Sequence, residues 1–493
     1  RSQTNQSIRP DILQVPSGQD APRELVPMPG EFEPESVLEW DSDVPLGYSG
    51  PSGVLPSEFQ ESSPFAPVED RWRIGFPEWD RDDQPDPWVT NAPYKQGRLI
   101  DPYNQNVLKG YYPILGQNTV LIFTAATNLL QETRQVPTPT TPFEVTTDPL
   151  SEEFFGDPDQ YLYTQNFLIS FDLFHGDASF KPMDWRIKIN SVFNLNYLDV
   201  DELAVVNPNV EAGTTRARHD FALEEWFFET KLADLSVNYD FLSLRAGSQP
   251  FVSDFRGFIF ADVNRAVRLF GNLNSNRDQF NLIWFDQTEK ETNSLLNTFD
   301  DRQQNTFIAN YYRQDFIWPG YTTQLSFHYN RDQATTKFDE NDFLARPDPV
   351  GVFQPHKIDA FYLGWAGNGH TNRINISHAF YWVLGRDELN PLAGRRLSIN
   401  AQMAALELSY DRDWIRFRSS FFWSSGDDDI NDAQGEGFDA IVDNPNFAGG
   451  EFSYWQRQTV RLFGVNLVKR QSLVPNLRSS KFEGQTNFVN PGL

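Results

Sequence analysis

The chain has 493 residues, with 41 Lys and Arg against 68 Asp and Glu, a formal net charge of −27 and no cysteine. Mean hydropathy is −0.52, and no stretch approaches the roughly 18 to 20 apolar residues of a spanning helix, so helical transporters and channels are excluded. Lack of cysteine excludes disulfides, thiolate zinc sites, iron–sulfur clusters and thioether-linked haem, and the acidic balance argues against a nucleic-acid footprint.

The chain opens Arg1-Ser2-Gln3-Thr4 without a charged start and apolar core, as a processed exported chain would and as a cytoplasmic one would. Residues 1–115 hold 17 of the 33 prolines and 19 acidic against 9 basic residues. Such a composition cannot build a sheet of its own, so this segment is read as a largely irregular extension. Trp72, Phe76, Trp79 and Trp88, followed by Asp101-Pro-Tyr-Asn-Gln-Asn-Val-Leu-Lys-Gly110, are bulky anchors that a purely solvated linker would not carry. The extension is therefore expected to plug a lumen, to lie in the periplasm, or to dock a periplasmic or lipoprotein partner.

Residues 116–493 change to period-2 alternation. Trp185, Ile187, Ile189, Phe193, Leu195 and Tyr197 fall on one face, and Arg186, Lys188, Asn190, Asn194 and Asn196 on the other. The same holds for Phe280, Leu282 and Trp284 against Asn281, and for Tyr321 to Tyr329 against Thr322 to Asn330. It holds again for Ile374, Ile376, Phe380 and Trp382 against Arg373, Asn375, Ser377 and Tyr381, and for Ile415, Phe417, Phe421 and Trp423 against Arg416, Arg418 and Ser420. Strands of ~9 to 13 residues exceed the globular norm and match the ~9 to 11 tilted residues that cross a bilayer. Leu235 to Arg245 and Leu406 to Arg416 both read as strand, Tyr-Asp turn, strand. Residues 207–220, 287–304, 331–354 and 424–451 read as longer polar loops.

The predicted fold is all-β: a transmembrane antiparallel β-barrel of about 14 to 18 strands, with short periplasmic turns and long outer loops. A soluble sandwich, β-helix or propeller is the alternative; its strands would be shorter or regularly repeated. Only every second residue of a barrel wall needs to be apolar, which reconciles a hydrophilic average with a lipid-facing exterior. The chain ends Asn487-Phe-Val-Asn-Pro-Gly-Leu493. Pro491-Gly492 is not expected inside a closing strand, so the last strands are expected to be missing from this sequence, or the barrel to close with an earlier strand.

Leu242-Ser-Leu-Arg-Ala-Gly-Ser-Gln249, Phe255-Arg-Gly-Phe258, Asp262, Arg268-Leu-Phe-Gly271 and the acidic, Gly-rich Ser425 to Asp439 together make the chain resemble the alginate-export type of outer-membrane porin, over roughly Asn166 to Gly450. The family's Gly-Arg-Gln core is here Ala-Gly-Ser-Gln, with its Arg two places earlier at Arg245. The resemblance implies a monomeric barrel that exports or passes an acidic polysaccharide.

Arginine dominates, since only 10 of the 41 basic residues are Lys. By alternation Arg186, Lys188, Arg245, Arg268, Arg373, Arg416 and Arg418 should face the lumen and attract anionic solutes, unless each pairs with a luminal acid to brace the wall. An acidic lumen that selects cations is the opposite outcome. Asp427-x-Asp429-x-Asn431 imitates half a calcium loop. Asp432 stands where an EF-hand needs Gly and Phe438 where it needs Glu, which leaves an irregular Ca²⁺ site or a solvated acidic loop. No other cofactor is expected. The six His show no metal-ligand spacing, no Gly-x-Ser-x-Gly, Walker or Rossmann pattern occurs, and Glu224-Glu225 is a coincidence expected of so acidic a chain; the protein is not expected to be an enzyme.

The expected function is an outer-membrane porin of a Gram-negative-type bacterium, for diffusion or export of hydrophilic, anionic solutes or polysaccharide. The alternative is a structural barrel: a sheath or scaffold for a periplasmic, lipoprotein or electron-carrier partner.

Overall fold

The computed structural model describes residue 99 and, with gaps of one or two residues, residues 106–135, 159–176, 182–347, 352–442, 446–447 and 488–492. Most of the 1–115 extension, with its Trp anchors, lies outside the described residues. Apart from the turn Arg412–Ile415, the described residues belong to one compact unit.

Strands β1 (Thr119–Gln135), β2 (Asp159–His175), β3 (Trp185–Val200), β4 (Thr215–Asp234), β5 (Phe241–Val252), β6 (Ala261–Leu273), β7 (Asp278–Lys290), β8 (Asn297–Arg313) and β9 (Tyr321–Asp332) pair in chain order. A small hairpin, β10 (Lys337–Phe338) with β11 (Leu344–Arg346), interrupts the run. It continues through β12 (Ile358–Thr371), β13 (Ile374–Asn390), β14 (Arg395–Arg412), β15 (Ile415–Ser424) and β17 (Phe488–Gly492), giving 14 strands on one path; β16 (Gln434–Gly435) pairs with β14 off that path. No described helix is long and apolar enough to cross a membrane.

Alternation decides the faces. Phe361, Leu363 and Trp365 of β12, Phe380, Trp382 and Leu384 of β13, and Phe167, Ile169 and Phe171 of β2 are exposed, while Ala360, Tyr362, Ala366, Ala379, Tyr381 and Ser170 between them are buried. Large apolar side chains turned outward over a continuous antiparallel sheet require a lipid solvent, since water would penalise them. The sheet curls upon itself. The turn between β5 and β6 hydrogen-bonds to inward side chains of β8, β9 and β13 and packs on Phe422 of β15, which a flat sheet could not allow. The chain is thus an all-β transmembrane barrel wall.

One end carries tight connections, such as 274–277, 372–373 and 413–414, and the other the long ones, 201–214, 253–260, 333–357 and 425 onwards. The expected asymmetry is present, with local differences. Residues 235–240 are entirely turn rather than half strand. The stretch read as loop 287–304 is mostly strand, because β7 and β8 extend through register shifts at 286, 288 and 290. The wall strands apart from β17 run from 10 to 20 residues, longer than expected. Pro491 and Gly492 do lie in a strand: β17 pairs with β15, Phe421 opposite Pro491. A proline needs no ladder donor on an outlying strand, so the objection from composition does not hold there.

The hairpin β5–β6 leaves the wall halfway up. Pairing of β4 with β5 stops at Trp226–Ser248, and pairing of β6 with β7 stops at Ala266–Phe285, whereas β5 and β6 stay paired to Val252–Ala261. Gly247 makes the departure, with φ +127°; a Cβ there would lie 2.1 Å from Trp226 O, so no other residue fits. Asn297 seals the opening by donating its backbone N–H and Nδ2 to Glu224, the extra residue of a β-bulge in β4, at 2.6 and 2.8 Å.

Candidate functional site: the constricted lumen

The tip of this hairpin, 253–260, crosses the interior and is fastened to the far wall. Ser253 O accepts from Asn310 Nδ2 at 2.7 Å, Gln324 Nε2 at 2.6 Å and the Tyr312 hydroxyl at 3.4 Å. Asp254 accepts the N–H groups of Arg256, Gly257 and Phe258, and the Tyr381 hydroxyl at 3.0 Å. Burial pushes its carboxyl above the ordinary range despite these donors. Arg256 donates to Ser377 at 3.0 Å and pairs with Glu407 at 3.3 Å.

A second segment, from the loop after β15, meets the tip. Phe260 bridges Val442 in parallel, the N–H groups of Ile441 and Val442 donate to Ile259 O, and Phe438 and Phe447 join Phe258, Tyr381, Met403 and Phe422 in one buried cluster. Each large side chain so buried contributes about 1.5–3 kcal/mol. Where a polar lumen had been expected, much of the inner face of β12–β14 is apolar (Ala360, Ala366, Ala379, Ala401 and Ala405 beside Tyr381 and Met403), because it carries two folded-in segments.

The seven expected luminal cations separate into groups. Arg186 forms a two-point pair with Asp172 at 2.7 and 2.5 Å, Lys188 meets Glu225 at 2.6 Å, and Arg245 binds Glu229 at 2.8 and 2.5 Å. These brace β2–β3, β3–β4 and β4–β5. Arg416 binds Asp411 at the short-turn end, and Arg418 meets Glu407 at 3.1 Å, so Glu407 serves both Arg418 and Arg256. Arg373 is not on a strand: it sits in the β12–β13 turn, which Asn372 makes with φ 50°.

Arg268 differs. It donates to Asn281 Oδ1 through Nε at 2.8 Å and Nη2 at 2.5 Å, and its guanidinium lies 4.4 Å from the Phe270 ring and 5.1 Å from that of Phe251. No described carboxylate pairs with it. Arg186, Phe227, Arg245, Phe270, Arg268 and Phe251 thus alternate cation and ring across four strands.

In the half calcium loop, Asp427 Oδ1 accepts Asp429 N–H at 3.2 Å, while Asn431 lies outside the described residues. The described acids near enough to share a cation are Asp220, Glu291 and Glu340, at the long-loop rim. Glu224 and Glu225 part company, one at the seam with Asn297 and the other against Lys188. Asp254 and Tyr381 had no local signal as partners; the tip's Arg-containing Phe255 to Phe258 did stand out as a motif.

A continuous antiparallel wall with an apolar exterior and an inward-folded segment defines a transmembrane antiparallel β-barrel. No protein-family model matches the chain, and no curated protein does. Among solved structures it is similar to the high-pH structure of Pseudomonas putida OprB, at 11% identity and a TM-score of 0.31, over 62% of this chain and 74% of that one.

Proposed function

We propose that the protein is an outer-membrane channel for hydrophilic solutes in a Gram-negative-type bacterium. The observation that carries this reading is the built constriction: a hairpin leaves an otherwise continuous wall at a glycine and is fastened across the lumen by side chains from three facing strands. A purely structural barrel has no need of such a device. Anionic solutes, including the acidic polysaccharide that the family resemblance implies, are favoured by Arg268, whose charge is met by an amide and two rings rather than by an acid.

Planar-bilayer conductance with reversal potentials in a salt gradient tests the proposal. Stepwise conductance with anion preference is expected; a silent bilayer would sink the channel reading, and cation preference would sink its anionic part. The scaffold reading draws on one observation, the apolar cluster that fills the lumen beside β12–β15. It predicts no conductance and a stable complex with a periplasmic, lipoprotein or electron-carrier partner that deletion of residues 1–115 dissolves.

A further inference from the structure

At the long-loop end, the inner faces of β8, β9 and β12–β14 and the loop after β15 enclose a cavity of about 430 Å³. We propose that this cavity binds a zwitterionic amino acid with an aliphatic side chain. This names a solute for the channel proposed above, and rests on that reading only for the solute's onward passage.

Four features of the lining converge on that chemistry. One side is acidic: Asp427 and Asp439, from the loop after β15, line the cavity. Such a side draws an ammonium group. Two cations line the same cavity, Arg302, held in a two-point pair with Asp332 at 2.8 and 2.7 Å, and Arg346, held by Glu289 and by Thr335. Arg presents five N–H donors, so these pairings leave capacity for a carboxylate.

Two amides on the same lining have open ends. Gln304 and Asn330 are each 7% exposed. Gln304 Nε2 donates to Asn330 Oδ1 at 2.9 Å, and Thr306 Oγ1 donates to the same oxygen at 3.1 Å. Among the described residues nothing bonds Gln304 Oε1 or Asn330 Nδ2, an acceptor and a donor on the cavity wall. Both atoms are open to the cavity, and a ligand offering one ammonium and one carboxylate meets the acceptor and the donor together. Ile358, Val383 and Leu397 add an apolar patch that suits an alkyl side chain, beside a polar stretch in which His356 pairs with Asp387 at 2.5 Å. A neutral sugar could only hydrogen-bond to the charged groups without neutralising either, and a simple anion would meet Asp427 and Asp439.

The test is isothermal titration of the full chain in detergent micelles with leucine, against glucose, 3-methylbutylamine and 4-methylpentanoate. Leucine is expected to bind about tenfold or more tightly than each of the other three, a difference of about 1.4 kcal/mol. The double variant D427N/D439N should weaken leucine about fivefold, and Asn330→Leu should weaken it similarly, with the folded band on unheated gels retained. Glucose binding as well as leucine, or leucine binding unchanged in both variants, overturns the proposal. The readout needs no bilayer, so a chain that binds leucine without conducting removes the channel and keeps the site. A conducting chain that ignores leucine does the reverse.

Discussion

Tyr381 on β13 donates its hydroxyl to Asp254 Oδ2 at 3.0 Å, joining residues 127 positions apart across the lumen. The tyrosine reaches there because Gly364 on β12 makes room: a Cβ at that glycine would lie 2.2 Å from the Tyr381 ring. The pair holds the constriction hairpin against the far wall. Tyr381→Phe removes one donor from a buried carboxylate and is expected to cost about 1–3 kcal/mol of stability. Urea unfolding in micelles measures this, and noisier, larger conductance steps should accompany it. An unchanged midpoint together with unchanged current would show that the hairpin is held by its apolar contacts alone.

Gly247→Ala should be more severe. The residue stands at φ +127° with Trp226 O where its Cβ would go, so alanine meets both backbone strain and a backbone clash. The expected result is loss of the folded, heat-modifiable band on gels. Folding at wild-type yield would mean that β5 need not leave β4 at this point.

Arg268 and Arg245 should respond differently. Arg268→Ala removes a cation without stranding a carboxylate and is expected to lower the anion-to-cation permeability ratio about two- to fivefold. Arg245→Ala leaves Glu229 without its partner inside the wall, so it should move selectivity further towards cations and also destabilise the barrel. Identical reversal potentials in both variants and the wild type would remove these residues from selectivity.

In the β4–β5 turn, burial acts to raise the Asp240 carboxyl, but the N–H groups of Asn276 and Ser275 and the Ser236 hydroxyl outweigh it and hold it below the ordinary range. A depressed carboxyl contributes stability that is full above its unfolded value near 3.9 and is lost as pH falls through the folded value. The two adjacent turns should therefore stay docked at neutral pH and loosen only below about pH 4. Hydrogen exchange of the Ser275 and Asn276 amides follows this, and Asp240→Asn should flatten the acid transition. Amides whose protection stays unchanged down to the pH of global acid unfolding would contradict it.

Strands and their faces were legible in the residues because alternation is a local property: Phe380 and Trp382 must leave the side that Tyr381 enters, whatever the rest of the chain does. The tight end and the long-loop end were legible for the same reason. Strand limits were less so, since β7 and β8 run on through bulges among polar residues that read as loop. Among the predicted cations, alternation put Arg186, Lys188, Arg245 and Arg268 on one inner face. It could not show that three meet carboxylates on neighbouring strands and the fourth does not.

By itself the sequence determined an antiparallel wall with lipid on one side. Only the tertiary structure decided what fills the other side. The constriction is assembled from single donors on β8, β9 and β13 that converge on Ser253 and Asp254, and no one of these strands looks unusual alone. Convergence of that kind depends on how the sheet curls and on where one glycine releases it. Both are set by packing between residues far apart in the chain, which no local period records.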